Sequence, residues 1–370
     1  MRPNIKTLSL IASLCATASG SLSAQNMLAS GSVVALSAVA AQLSADAATT
    51  VSSNNSASLP AWTKPVWAQV ETLCSQPNCK ADALMQLSDS RSALSQLLSM
   101  AREADGQERD AVLARYLSVA EQAQVNPTER YLLLRAANEL VSSDDLRRKL
   151  IIECGQSQTV QALAFVRPYY DTQLFADAVA LATVSIVKGN PEINGGRHVY
   201  NMLEAAKESF IRHYGEEGID PMIDDVLKAI DEVQPEGYNL APSHTSMGKR
   251  GFWNMSGQEA NMEMAFDWKA TGALTVSLHS VPVMTLDRHK GLKLAGSQEW
   301  HSYKTLGDWD TANIKLKGNR VTVSVNGQLL VSDVQLSVAE DGQRVGDRGY
   351  VAFTADDNGA VVEQVCLRSL

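Results

Sequence analysis

The hydrophobic period of this chain changes once, and that change limits the possible folds more than any other feature. From about residue 80 to 235, apolar residues recur at helical spacing. Val112, Leu113, Tyr116, Leu117 and Ala120 mark one face; Leu174, Ala178, Leu181 and Ser185 mark another. From about residue 250 the period is two. Met262, Met264, Phe266 and Trp268 alternate with Glu263, Ala265 and Asp267, and Val321, Val323 and Val325 alternate with Thr322 and Ser324. One chain cannot bury both patterns in the same kind of layer. The reading is therefore multidomain: an all-α helical stack over 61–235, then an all-β sandwich over 236–370.

Local signals punctuate both halves. Asn126-Pro127-Thr128-Glu129 offers a cap, a proline at the first helical position and a glutamate reaching back. Asp220-Pro221 repeats the device, and Ser143, Ser157 and Asp171 precede further helices. Helices are predicted near 107–124, 128–141, 144–153, 158–167, 172–188, 197–213 and 221–233. Their short connections suggest stacked pairs of the HEAT or armadillo kind, although no strict repeat is visible. In the second half Asn326-Gly327, between two alternating runs, signals a two-residue hairpin. Gly318-Asn319 is a similar turn one strand earlier. Strands follow at 328–333, 349–354 and 360–368.

The N-terminus reads as export. Arg2 and Lys6 precede an apolar run over 7–19, and small residues follow around Ser21–Ala24, a secretory pattern with cleavage before Gln25. Residues 25–60 read as a flexible linker. The expected location is the periplasm, the cell envelope or the exterior, with no membrane span once residues 1–24 are removed. Cys15 leaves with them. Cys74 and Cys79 flank a Ser-Gln-Pro-Asn turn and are expected to close a small disulfide loop; Cys154 and Cys366 sit in apolar segments and read as buried thiols. Acidic residues exceed basic ones by 41 to 32, a net charge of −9, which argues against a nucleic-acid partner. Residues 236–370 hold 13 bases and 15 acids, so most of the excess lies in the helical half.

The helical half shows apolar stripes and solvated charge but no paired acid/base groups; a protein partner on the stack is an open possibility. His198 and His213 read as surface or capping residues. The chemistry-bearing types gather over 279–303: His279, Asp287, Glu299, Trp300, His301 and Tyr303. If the runs 272–279 and 281–287 are neighbouring strands, His279 and Asp287 could share one concave face as an acid–base site with Asp287 the candidate base, and Glu299, Trp300, His301 and Tyr303 would line a ligand groove beside them. His279, Asp287 and His301 could alternatively hold a divalent metal, with spacing that is not diagnostic. No other cofactor is indicated. Trp268 and Trp309 read as core, and His289 and Lys290 as a solvated hairpin tip.

Several segments resemble a known family. Gly307-Asp308-Trp309-Asp310-Thr311, Ile314 through Val323, Val325-Asn326-Gly327, Met264-Ala265-Phe266-Asp267-Trp268-Lys269, and Gly349-Tyr350-Val351 with Cys366-Leu367-Arg368 are similar to the 3-keto-disaccharide hydrolase domain. That domain is also described as a 3-keto-glucoside lyase and hydratase. Phe165 through Asp171 resembles a segment of the HEAT-like helices that precede it in larger secreted members. The resemblance implies a concanavalin- or laminin-G-like jelly roll. It also implies action on 3-keto glycosides: abstraction of the C2 proton, β-elimination of the aglycone, then hydration. This chain has Ser277-Leu278-His279-Ser280 where members carry Tyr-Leu-Arg-Gly, and Met284-Thr285-Leu286-Asp287 where they carry Gln-Ile-Trp-Asp. Asp287 is the one polar position that keeps its identity. The alternative is a carbohydrate-binding or scaffolding protein that has lost catalysis.

Overall fold

A computed structural model describes residues 90–214, 221–233, 237–240, 244–246, 253–258, 261–336, 349–356 and 359–370. The expected signal peptide, the linker and the Cys74/Cys79 loop lie outside these residues. The first half is helical: α1 (Ser90–Glu103), α2 (Gly106–Gln122), α3 (Pro127–Asn138), α4 (Asp144–Cys154), α5 (Val160–Val166), α6 (Ala176–Gly189), α7 (Arg197–Tyr214) and α8 (Pro221–Asp231). The capping box of α3 forms as its spacing requires. Asn126 Oδ1 accepts from the Glu129 amide at 2.8 Å, and Glu129 Oε2 accepts from the Asn126 amide at 3.3 Å. The cap of α5 is Thr159, whose hydroxyl accepts from the Ala162 amide at 3.1 Å; Ser157 lies instead in a 3₁₀ turn. Leu174 also departs from expectation. It sits in the 3₁₀ turn before α6 and is exposed, because that helix begins only at Ala176. Helix α1 falls outside the predicted set. Among the described residues no helix is long and apolar enough to cross a membrane.

The second half is a two-sheet antiparallel sandwich. Strands β1 (Asn239–Leu240), β2 (His244–Ser246), β4 (Asn261–Lys269), β8 (Asp310–Lys317), β9 (Arg320–Val325), β10 (Gln328–Gln335) and β12 (Val361–Ser369) form one sheet. Its order is β1-β12-β4-β8-β9-β10, with β2 also on β12. Strands β3 (Trp253–Gln258), β11 (Gly349–Ala355), β5 (Leu274–Leu278), β6 (Val281–Asp287) and β7 (Gly291–Leu294) form the other, in that order. The core between them holds Met264, Phe266, Trp268, Ile314 and Val323 from one sheet and Val276, Met284, Leu286 and Phe353 from the other. Phe266 and Phe353 meet across it edge to face, centroids 4.7 Å apart. Asn326 and Gly327, both at positive φ, make the expected two-residue turn between β9 and β10.

The helices do not stand apart from the sandwich. Ser88–Leu370 form one compact unit, so 234–250 marks a change of secondary structure within it. Helix α5 packs on β12 and β4, α3 on β8, and α7 on β1. The consequence is clearest in β4, where Met262 through Trp268 are all buried. Alternation would leave Glu263, Ala265 and Asp267 to solvent, but the helices cover that face. A strand covered on both faces loses its wet side. Polar groups on the covered face must then find partners. At one end Glu263 accepts from Arg368 at 2.5 Å and from Asn313 at 3.1 Å. Burial opposes its ionisation, but Arg368 and Asn313 outweigh that and hold its carboxyl below the usual range.

Candidate functional site

The structure separates the residues expected to cooperate. His279 and Ser280 form the turn between β5 and β6, both at positive φ, while Asp287 ends β6. At about 3.3 Å per residue, strand length puts them roughly 20 Å apart. They are neighbours in a hairpin but occupy its opposite ends, so they cannot act as one acid–base pair. His279 is buried, with the backbone of Gly349 packed against its own. Asp287 organises a turn: its Oδ1 accepts from the amides of His289 and Lys290 at 2.9 and 3.0 Å. Burial would raise its carboxyl, but those amides and Lys290 hold it below the usual range. Such a group is a poor proton acceptor.

The other expected residues follow β7. Leu292 and His301 exchange backbone hydrogen bonds of 2.9 and 2.8 Å, which brings the segment 300–303 beside β6–β7. Gly291 is required there, because a Cβ on it would stand 2.1 Å from the His301 carbonyl oxygen. Trp300 is partly exposed beside Lys290 and Lys293, Glu299 is exposed, and Tyr303 lies edge-on to Trp268 at 6.3 Å. Asp287, Trp300 and His301 are thus gathered at one end and His279 at the other. The proposed His279–Asp287–His301 metal set does not assemble, and among the described residues no group of three or more His, Cys, Asp or Glu could hold a metal ion.

A cleft of about 300 Å³ lies elsewhere, between the helices and the larger sheet. It is lined by Arg135, Asn138 and Glu139 of α3 and its C-cap, by Phe165, Pro168 and Tyr169 of α5 and the turn after it, and by Trp309, Glu363 and Gln364 from the sandwich. Helical spacing aligns the first set, since residues 131, 135, 138 and 139 share one stripe. A bulge in β12 supplies the last two: the register with β4 shifts between Glu363 and Cys366, and Gln364 takes φ 52°. Bulges of this kind re-aim side chains.

The floor of the cleft is a buried charge cluster. Asp267 of β4 and Glu363 of β12 are direct register partners. Like charges in that position repel. Arg135 resolves the conflict, hydrogen-bonding Glu363 and lying 3.7 Å from Asp267. Its guanidinium stacks over Trp309 at 4.0 Å from the ring centroid. Trp309 in turn donates Nε1–H to Glu139 at 2.6 Å. Tyr131 donates its hydroxyl to Asp267, and Gln161 donates to Thr311 at 3.0 Å nearby. Asp267 has no exposed surface. Burial raises its carboxyl, Arg135 and the hydrogen bonds from Tyr131 and Thr311 oppose that, and the balance sits at about 7.

Residue types alone point to the sandwich, whereas this cleft draws on both halves of the chain. Tyr131, Arg135, Asp267 and Glu363 lie outside the expected site residues. One signal was available, a lone arginine within the apolar run Tyr131–Ala137. Trp309 and Trp268 are core as expected, and Cys154 and Cys366 are buried free thiols whose acidity burial suppresses.

No protein-family model matches the chain, and no curated protein matches it. Among solved structures it is similar to a suspected glycosyl hydrolase from Parabacteroides distasonis, at 14% identity over 34% of this chain and 78% of that one, with a TM-score of 0.26. A tetrameric galectin from the sponge Cinachyrella is similar at 10% identity over 32% and 98% of the two chains, TM-score 0.23. The Trypanosoma rangeli sialidase in complex with 2,3-difluorosialic acid is similar at 12% identity over 37% and 28%, TM-score 0.26.

Proposed function

We propose that this chain is an exported carbohydrate-active protein that holds a saccharide in the cleft between α3, α5 and the larger sheet. The lining carries this reading. Tyr169 and Pro168 offer apolar surface for a sugar ring, while Asn138, Glu139, Gln364 and the Arg135–Glu363 pair surround it with donors and acceptors. That mixture suits a polyhydroxylated ligand better than an apolar one. The HEAT-like description of the helices and the 3-keto-disaccharide assignment of the sandwich belong to the same proposal.

A catalytic reading has one observation in its favour, the side-by-side carboxylates of Asp267 and Glu363. Their environments differ: Asp267 is raised to about 7, and Glu363 pairs with Arg135. Two neighbouring carboxyl groups in unlike environments are the arrangement that glycosidic chemistry uses. On a 3-keto glycoside, Glu363 would take the C2 proton as the C1–O bond breaks, the departing aglycone oxygen would take that proton back from Glu363 or one from water, and water would then add across the C1–C2 double bond of the product. Asp287 and His279 have no part in this scheme.

The test is titration of the full chain with neutral disaccharides and with a 3-keto disaccharide, followed by calorimetry and product analysis. Binding that weakens in Tyr169→Ala and Asn138→Ala, with melting unchanged, supports the cleft. Turnover that is lost in Glu363→Gln while binding survives supports the enzyme. Saccharide binding unaffected by either cleft variant sinks the assignment.

A further inference from the structure

The outer face of the five-stranded sheet is separate from the cleft and carries its own row of side chains. Cross-strand register aligns Thr354 with Thr275, Thr275 with Thr285, and Thr285 with Lys293. The Leu292–His301 bridge then places Trp300 next to Lys293, whose Nζ lies 5.3 Å from the indole centroid. Lys290 Nζ lies 5.6 Å from the same ring. Four inter-strand steps make the row roughly 19 Å long. Pro282, Tyr350 and Thr354 on this sheet are exposed, so the face meets solvent.

The charge here runs against that of the whole protein. Residues 288–304 contain Arg288, Lys290, Lys293 and Lys304 against one acid, Glu299, in a chain of net charge −9. Arg288 is committed to Asp310 at 2.7 Å. Lys290 and Lys293 are not fixed in that way. Lys290 is 63% exposed, and among the described residues its ion pair is a long one, 3.6 Å, to Asp287. Asp287 thereby acquires a role. By capping the turn through two amides it sets Lys290 beside Trp300.

We propose that this face binds an acidic oligosaccharide, with a sugar ring on Trp300, its carboxylate between Lys290 and Lys293, and the following residues along Thr285, Thr275 and Thr354. An indole accepts the apolar face of a sugar ring. The lysines now lean on that ring through partly exposed contacts, and a carboxylate is a stronger partner for them. Threonine hydroxyls both donate and accept, as a row of sugar hydroxyls requires. The length of the row suits a short oligomer rather than a monosaccharide.

Calorimetry on the full chain tests this with tetragalacturonate, cellotetraose and inorganic polyphosphate. Tetragalacturonate should bind and weaken as salt rises. The double variant Lys290→Gln/Lys293→Gln and the single variant Trp300→Ala should each weaken it roughly tenfold or more with melting unchanged. Tyr169→Ala, in the cleft, should leave it intact, so failure here and failure of the cleft reading are distinguishable. Absence of tetragalacturonate binding would overturn the proposal. So would equal binding of cellotetraose, equally tight binding of polyphosphate, or binding that persists in the double lysine variant.

Discussion

Asp267 and Glu363 face each other directly across the β4–β12 ladder, two carboxylates side by side on a sheet face that helices cover. Sheet geometry alone makes this unfavourable, and the remedy comes from α3 in the form of Arg135. The junction between helices and sandwich is thus held by charge as well as by apolar contact. Four expectations follow from it and from the hairpin at Asp287.

Replacing Arg135 with methionine should be costly. The variant keeps much of the side-chain volume but leaves Asp267 and Glu363 without their cation. Breaking a buried pair from one side costs about 3–5 kcal/mol. Urea unfolding of the full chain measures it; a loss under about 1 kcal/mol would show that the cluster contributes little.

Asp267 should tie stability to pH in a definite direction. Its carboxyl is raised from 3.8 to about 7 on folding, so the folded state holds the proton more tightly than the unfolded state. The stability this group contributes is fully present below about pH 4 and is lost as pH rises through about 7. Asp267→Asn removes that slope. The difference in unfolding free energy between variant and wild type should therefore shift in the variant's favour between pH 4 and 7. A difference that stays flat across the range contradicts the assignment.

The sandwich should not be independent of the helices. A fragment beginning near residue 236 would expose the face carrying Ala265, Asp267, Thr311 and Cys366, all buried in the whole protein. We expect that fragment to aggregate or to melt without cooperativity, and the full chain to lose helix and strand signals together. A soluble, cooperatively melting sandwich fragment would show that the junction is dispensable.

Asp287→Ala should weaken the β6–β7 turn without touching the cleft. Losing the two amide partners costs about 1 kcal/mol at neutral pH. Because the folded carboxyl is held below its ordinary range, its stabilisation is present above about pH 4 and fades as pH falls through the folded value. The penalty should shrink in acid. Saccharide binding in the cleft that disappears with this substitution would mean that Asp287 does more than shape a turn.

Local chemistry determined much of this protein unaided. The capping box at Asn126 and Glu129, the Asn326-Gly327 turn and the two periods depend on near neighbours in the chain, so helices, strands and their order are written in the sequence. What tertiary structure decided is which faces meet. The alternation in β4 marks Glu263 and Asp267 as polar, but not that helices would cover that face, because that depends on contacts between residues far apart in the chain. Tyr131 and Asp267 are separated by 136 positions, and Arg135 and Glu363 by 228. In the same way, the proximity of His279 and Asp287 in sequence suggested a shared site, while an extended strand between them carries the two apart. Pattern reports which side of an element is apolar; only packing reports what lies against the other side.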